Sequence, residues 1–199
     1  MATAQLLHIG QKPKTLKETS LFPNRVATEQ QSMVLVKRLL AVSISCITYL
    51  RGLFPESSYG TCYLDDMCLK ILREDKSCQG SLQIVKSHVG IIIWLEQPMM
   101  VRSLFVTVAS YNRSCSLLFD LQHMTEFYRF KFKYSRNGPQ MDFDSGDTQG
   151  NFTNGGNSEE IKQASILLIR KLYVLMQNLG PLPNDITLTM KLFYYNDGR

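Results

Sequence analysis

Closely spaced metal-ligand pairs and a glycine-rich phosphate loop are both missing from this chain. Its five cysteines, Cys46, Cys62, Cys68, Cys78 and Cys115, include no Cys-x-x-Cys pair. A structural zinc centre needs ligands that converge on one tetrahedron, so none is expected. Histidine is scarce, with three in 199 residues. A Cys115–His123 nucleophile pair has no supporting signature, so no catalytic residue is assigned and no enzyme is expected. No cofactor fingerprint and no internal repeat is present. The most apolar short run, Val89 to Leu95 (VGIIIWL), falls well short of the about 20 residues that span a bilayer. It reads as a buried strand or core helix, and no membrane partner is expected. Residues 1–20 are polar and carry no apolar core, so no secretory signal is expected and the thiols are expected to stay reduced. On that reading, the sequons at Asn112 and Asn151 are chance matches.

What is present suits one domain. Hydrophobic residues make up 44% and charged residues 20%, enough for a sizeable core. The net charge of +5 is only mildly basic. Residues 1–27 read as a flexible arm, followed by a domain over 28–196. Thr28 and Gln31 form a capping-box pattern, which predicts a helix to about Arg51. Gly52 is suited to stop it. Leu35, Leu39, Val42, Cys46 and Tyr49 form one apolar stripe, and Met33, Val36, Leu40, Ile44 and Ile47 a second. A helix apolar on two sides is expected to be central. Tyr63 to Leu72 fits either strand or helix. Asp65-Asp66 invites a catalytic reading, but neighbours on a strand point to opposite faces. Met99 to Tyr111 suits a strand.

The pattern sharpens from Phe127. In FYRFKFKY, Tyr128, Phe130, Phe132 and Tyr134 alternate with Arg129, Lys131 and Lys133, as in a half-buried antiparallel strand. Basic residues beside aromatics suggest nucleic acid, but here the two kinds lie on opposite faces of the strand, which argues against direct binding. Residues 144–157 read as a mobile surface loop. A helix is predicted from about Ser158 to Asn178, stopped by Gly180 and Pro181. Its apolar seam reads Ile161, Ser165, Leu168, Leu172, Leu175 and Leu179. The last element, Asp185 to Tyr195, sets Ile186, Leu188, Met190, Leu192 and Tyr194 on one face, and is apolar enough for a sheet interior.

Taken in order, LVKRLLAVSISCITYLRGLFPESSYG (35–60), YLDDMCLKILRED (63–75), YRFKFKY (128–134), KQASILLIRKLYVLMQNLGPLP (162–183) and LTMKLFYY (188–195) resemble HORMA domains of meiotic chromosome-axis proteins. The resemblance covers roughly residues 1–86 and 125–196. It implies an α+β fold with a three-helix layer packed on a small, mainly antiparallel sheet. It implies an adaptor that captures a short closure peptide at a sheet edge, with a C-terminal segment closing over it as a safety belt. Site residues carried over are Ile186, Leu188, Met190, Leu192 and Tyr194 of the last strand, with Leu168, Leu172 and Leu175 of the preceding helix. Implied partners are closure-motif peptides of axis proteins, other HORMA-domain axis proteins and an AAA+ remodelling ATPase. No cofactor or metal is implied, and the implied setting is the chromosome axis in the nucleus, with synapsis checkpoint signalling. Residues 87–124 fall outside the resemblance and read as a divergent insert where a second helix and a strand are expected. With Arg199 following the last strand directly, no belt segment is seen. A shortened isoform that cannot lock a peptide is the alternative reading.

Overall fold

Thr28 sets the start of the first helix. Its hydroxyl accepts from the Gln31 amide and its own amide donates to the Gln31 side chain, both at 3.2 Å, so two free donors are satisfied together. The computed structural model describes residues 28–64, 67–95, 101–111, 122–135, 138–145, 148–150 and 158–194. The predicted arm at 1–27, the Asp65-Asp66 pair and Cys115 lie outside these.

Helix α1 (Glu29–Leu50) ends where Gly52 takes φ +64°, a left-handed geometry open to glycine at little cost. Both of its apolar stripes are buried, among them Leu35, Leu39, Cys46, Val36, Leu40 and Ile47. Length and apolarity alone would let α1 cross a membrane. Here it is the central core helix, packed against strands and against the last helix.

Strands β1 (Tyr59–Leu64) and β2 (Met67–Leu72) form an antiparallel hairpin, which resolves the ambiguity at Tyr63–Leu72 in favour of strand. The hairpin is tied to α1 through Ser45. Its hydroxyl donates to Ala41 O at 2.7 Å and accepts from the Leu72 amide at 3.0 Å. Tyr49 and Tyr59 add an edge-to-face contact at 5.1 Å.

Helix α2 (Gln79–Leu95) and strand β3 (Val101–Tyr111) follow. Much of the segment set apart as an insert therefore supplies the helix and strand that the fold requires. The run Val89–Leu95 lies within helix α2. An apolar run of this density blurs the period, so composition alone left helix and strand open.

Strand β4 (Gln122–Ser135), β5 (Gly138–Ser145) and β6 (Thr148–Gly150) continue the sheet, α3 (Ser158–Asn178) crosses over, and β7 (Ile186–Tyr194) returns. The order is β6-β5-β4-β3-β7, with every pair antiparallel. Three of the expected loop residues at 144–157 thus form β6. The intervening Gly146-Asp147 is a two-residue hairpin composition, and general loop polarity concealed it. The core lies between α1, α3 and the inner sheet face, where Leu104, Val106, Tyr128, Phe130, Phe132 and Phe143 are buried. This is the α+β arrangement expected, three helices with a small antiparallel sheet.

Candidate functional site

Strand β7 pairs on one side with β3, in a register that sets Leu104 opposite Leu192, Val106 opposite Met190 and Val108 opposite Leu188. Among the described residues its other side pairs with nothing. The sheet-interior position that its apolar pattern suggested is thus corrected to an edge among the described residues, the position that the resemblance implied. The apolar pattern misled because one face is enough to account for it. Ile186, Leu188, Met190 and Leu192 pack on the core cluster, while Thr187, Thr189, Lys191 and Phe193 occupy the other face. An edge strand offers a row of backbone donors and acceptors to a further strand.

Tyr194, which shares the inward parity, is 45% exposed near the strand end. The four preceding inward side chains are half-buried on the core, and part of their surface stays open along the edge for a same-face contact with an added strand. They also carry the backbone of that edge.

On α3, Leu168 and Leu172 are core residues, 2% and 0% exposed. The four-three-four spacing that selected them identifies the seam facing the core, so they are removed from the ligand-facing set. Leu175 is half-buried and lines a shallow groove of about 300 Å³ with Leu167, Arg170, Lys171, Val174 and Asn178. Leu167 and Val174 are 54% and 58% exposed. They were missed because they lie off the periodic seam. Their only sequence signal is a large apolar residue off that stripe.

The approach to β7 is fixed from within. Arg51, just past α1, is ion-paired with Glu126 of β4, both side chains less than a tenth exposed. The guanidinium Nε donates to Glu126 Oε2 at 3.1 Å, Nη2 donates to Glu126 Oε1, and Nη2 also donates to Gly180 O at 2.7 Å. Tyr128 donates its hydroxyl to Glu126 Oε2 at 2.6 Å. Burial, and then this bond to a carboxylate, push the Tyr128 phenol far above its ordinary value. One buried ion pair thereby holds α1, β4 and the segment that leads from α3 into β7.

Burial pushes the Cys46 thiol up to about 12, and burial also raises Cys62. Cys78 is held below the usual thiol value, first by the Ser81 amide at the start of α2. Among the described residues no group of three or more His, Cys, Asp or Glu could hold a metal ion.

The HORMA domain signature matches residues 32–198. The chain is 56% identical over 197 residues to HORMA domain-containing protein 1 of Bos taurus, covering 99% of this chain and 46% of that protein. It is 54% identical over 196 residues to HORMA domain-containing protein 2 of Bos taurus, covering 98% and 61%. The chain thus spans roughly half the length of these curated relatives, and residues 87–124 lie within the compared span. Among solved structures, C. elegans HTP-2 bound to a HIM-3 closure motif is similar with a TM-score of 0.68 at 18% identity, covering 95% of this chain and 79% of that one. HTP-2 bound to HTP-3 motif-6 gives 0.69 at 17%, covering 94% and 80%. With the signature running through most of its length, the chain belongs to the HORMA domain family.

Proposed function

We propose that this chain is a peptide-capturing adaptor of the meiotic chromosome axis and not an enzyme. The observation that carries this is the open edge of β7. An extended peptide added there gains main-chain hydrogen bonds from alternate residues of Ile186–Tyr194, while side-chain contacts set its sequence. Tyr194 is the most exposed of the site residues, and the half-buried Leu175, Ile186, Leu188, Met190 and Leu192 add partial surface for such contacts. Leu168 and Leu172 act indirectly, by holding α3 on the core. HTP-2, similar in fold, is bound to closure motifs of HIM-3 and HTP-3, and this supports the same class of ligand here. The partners proposed are closure-motif peptides of axis proteins, other HORMA-domain axis proteins and an AAA+ ATPase that remodels the bound state. The setting proposed is the nucleus, on chromosomes, in synapsis surveillance. The alternative of an isoform unable to lock a peptide drew on residues 87–124 being foreign and on a missing belt segment, and the helix and strand at Gln79–Leu95 and Val101–Tyr111 bear on the first ground alone. The test is fluorescence anisotropy with synthetic closure-motif peptides from axis HORMA proteins. The reading expects saturable binding that is lost when the sequence is scrambled. Failure of every peptide to bind a cooperatively folded chain would overturn it.

A further inference from the structure

Strand β4 alone separates its aromatic and basic residues, but its neighbours do not preserve that separation. The sheet register sets Phe105 opposite both Arg129 and Lys191, and Ser103 opposite both Lys131 and Phe193. All of these lie on the face turned away from the core, because their sequence neighbours Leu104, Phe130 and Leu192 face inward. Phe105 and Phe193 meet edge to face at 4.8 Å, and the Arg129 guanidinium lies over the Phe105 ring at 5.7 Å. Phe193 is 48% exposed. Lys133 of β4 adds a fourth cation to this face, bridged to Asp142 at 2.6 Å. Asp142, the carboxylate that meets Lys133, belongs to β5, on the far side of β4 from β7. Thr107, Ala109, Thr187 and Thr189 are small and keep the remainder of β3 and β7 low.

An antiparallel sheet with helices on one face, and on the other an exposed ring, Phe193, beside the half-buried Phe105 among cations, has the chemistry of a stacking platform. Rings take bases through their π-faces and cations take the intervening phosphates. An acidic peptide would use the cations but would leave the Phe193–Phe105 pair without a purpose. We propose that the outer face of β7, β3 and β4 binds single-stranded nucleic acid, with Phe193 as a stacking residue and Lys191, Lys131 and Arg129 as the phosphate side. This face is distinct from the β7 edge, so the two ligands do not compete for the same backbone.

The test is fluorescence anisotropy of a labelled 20-nucleotide oligo-dT strand with the full chain over a salt series. The expected result is binding that weakens as salt rises. Phe193→Ala weakens it roughly five- to a hundredfold, the range for losing one base–aromatic stack, and Phe193→Tyr restores it. Lys191→Glu weakens binding and flattens the salt dependence, whereas Lys86→Glu, an equal charge change at an exposed position of α2, has little effect. Unchanged melting curves establish that each variant is folded. Three outcomes would each overturn the proposal: no binding at low salt, equal losses from Lys86→Glu and Lys191→Glu, or a polyglutamate peptide held as tightly as the oligonucleotide.

Discussion

Arg51 and Glu126, 75 residues apart in sequence, form a buried ion pair that also reaches the Gly180 carbonyl. A pair of this kind is costly to desolvate, and its value depends on every donor and acceptor being used. Here the guanidinium spans both carboxylate oxygens and a backbone carbonyl, while Tyr128 adds a second donor to Glu126. Replacing Glu126 with Gln should leave a buried cation short of its counter-charge and cost about 3–5 kcal/mol in denaturant unfolding. Arg51→Met with Glu126→Gln should cost much less than the two single changes added together, because no charge is then stranded. Tyr128→Phe should cost about 1–3 kcal/mol, the range for a hydrogen bond to a charged group.

His88 supplies a pH signature. It is buried on α2, its Nε2 has no hydrogen-bond partner among the described residues, and burial holds its pKa down at about 4. The folded value lies below the unfolded value near 6.5, so the unfolded chain binds the proton first. Its contribution is complete above about pH 6.5 and is lost as pH falls toward 4, on the order of 3 kcal/mol across that window. Urea titrations from pH 7.5 to 4.5 should show this decline, and His88→Leu should show a shallower one. Parallel declines in both proteins would remove His88 as the cause.

The thiols give a prediction about reactivity. At pH 7.5, iodoacetamide should modify Cys78 before Cys62, and Cys46 only on unfolding, as read by mass spectrometry. The order follows from the Ser81 amide beside Cys78 and from the burial of Cys46. Rapid labelling of Cys46 in the folded chain would contradict the packing of α1.

Gly52 isolates a backbone effect. A Cβ there would meet nothing within 4 Å, yet φ is +64°. Gly52→Ala should therefore destabilise by about 1–2 kcal/mol through conformation alone, and Gly52→Asn by less. Equal stability of all three in thermal unfolding would place the cost elsewhere.

The two long helices were legible because their ends carry chemical signals. Thr28 with Gln31 opens α1, Gly52 closes it, and Gly180-Pro181 follows α3. Strand β4 was legible because one face is aromatic and the other basic. Helix α2 was not, since the apolar run Val89–Leu95 at its end blurs the period that the buried Ser81, Ile84, Val85, His88 and Ile91 keep. The β1–β2 hairpin was obscured because Asp65-Asp66 lacks the glycine that usually marks a two-residue turn. For the site, the apolar pattern marked out β7 but not its place at the edge, which only the resemblance implied, because pairing partners 76 to 93 residues away decide that. It chose Leu168 and Leu172 by periodicity, and periodicity marks what is buried. The surface residues Leu167 and Val174 have no period to betray them.

The central claim is that the open edge of β7 takes a peptide as an added strand. Hydrogen–deuterium exchange of the full chain, with and without a bound closure-motif peptide, tests it most directly. The account predicts strong new protection at alternate amides within Ile186–Tyr194, with β1–β2 unchanged. Peptide binding that leaves the β7 amides as exposed as before would contradict it.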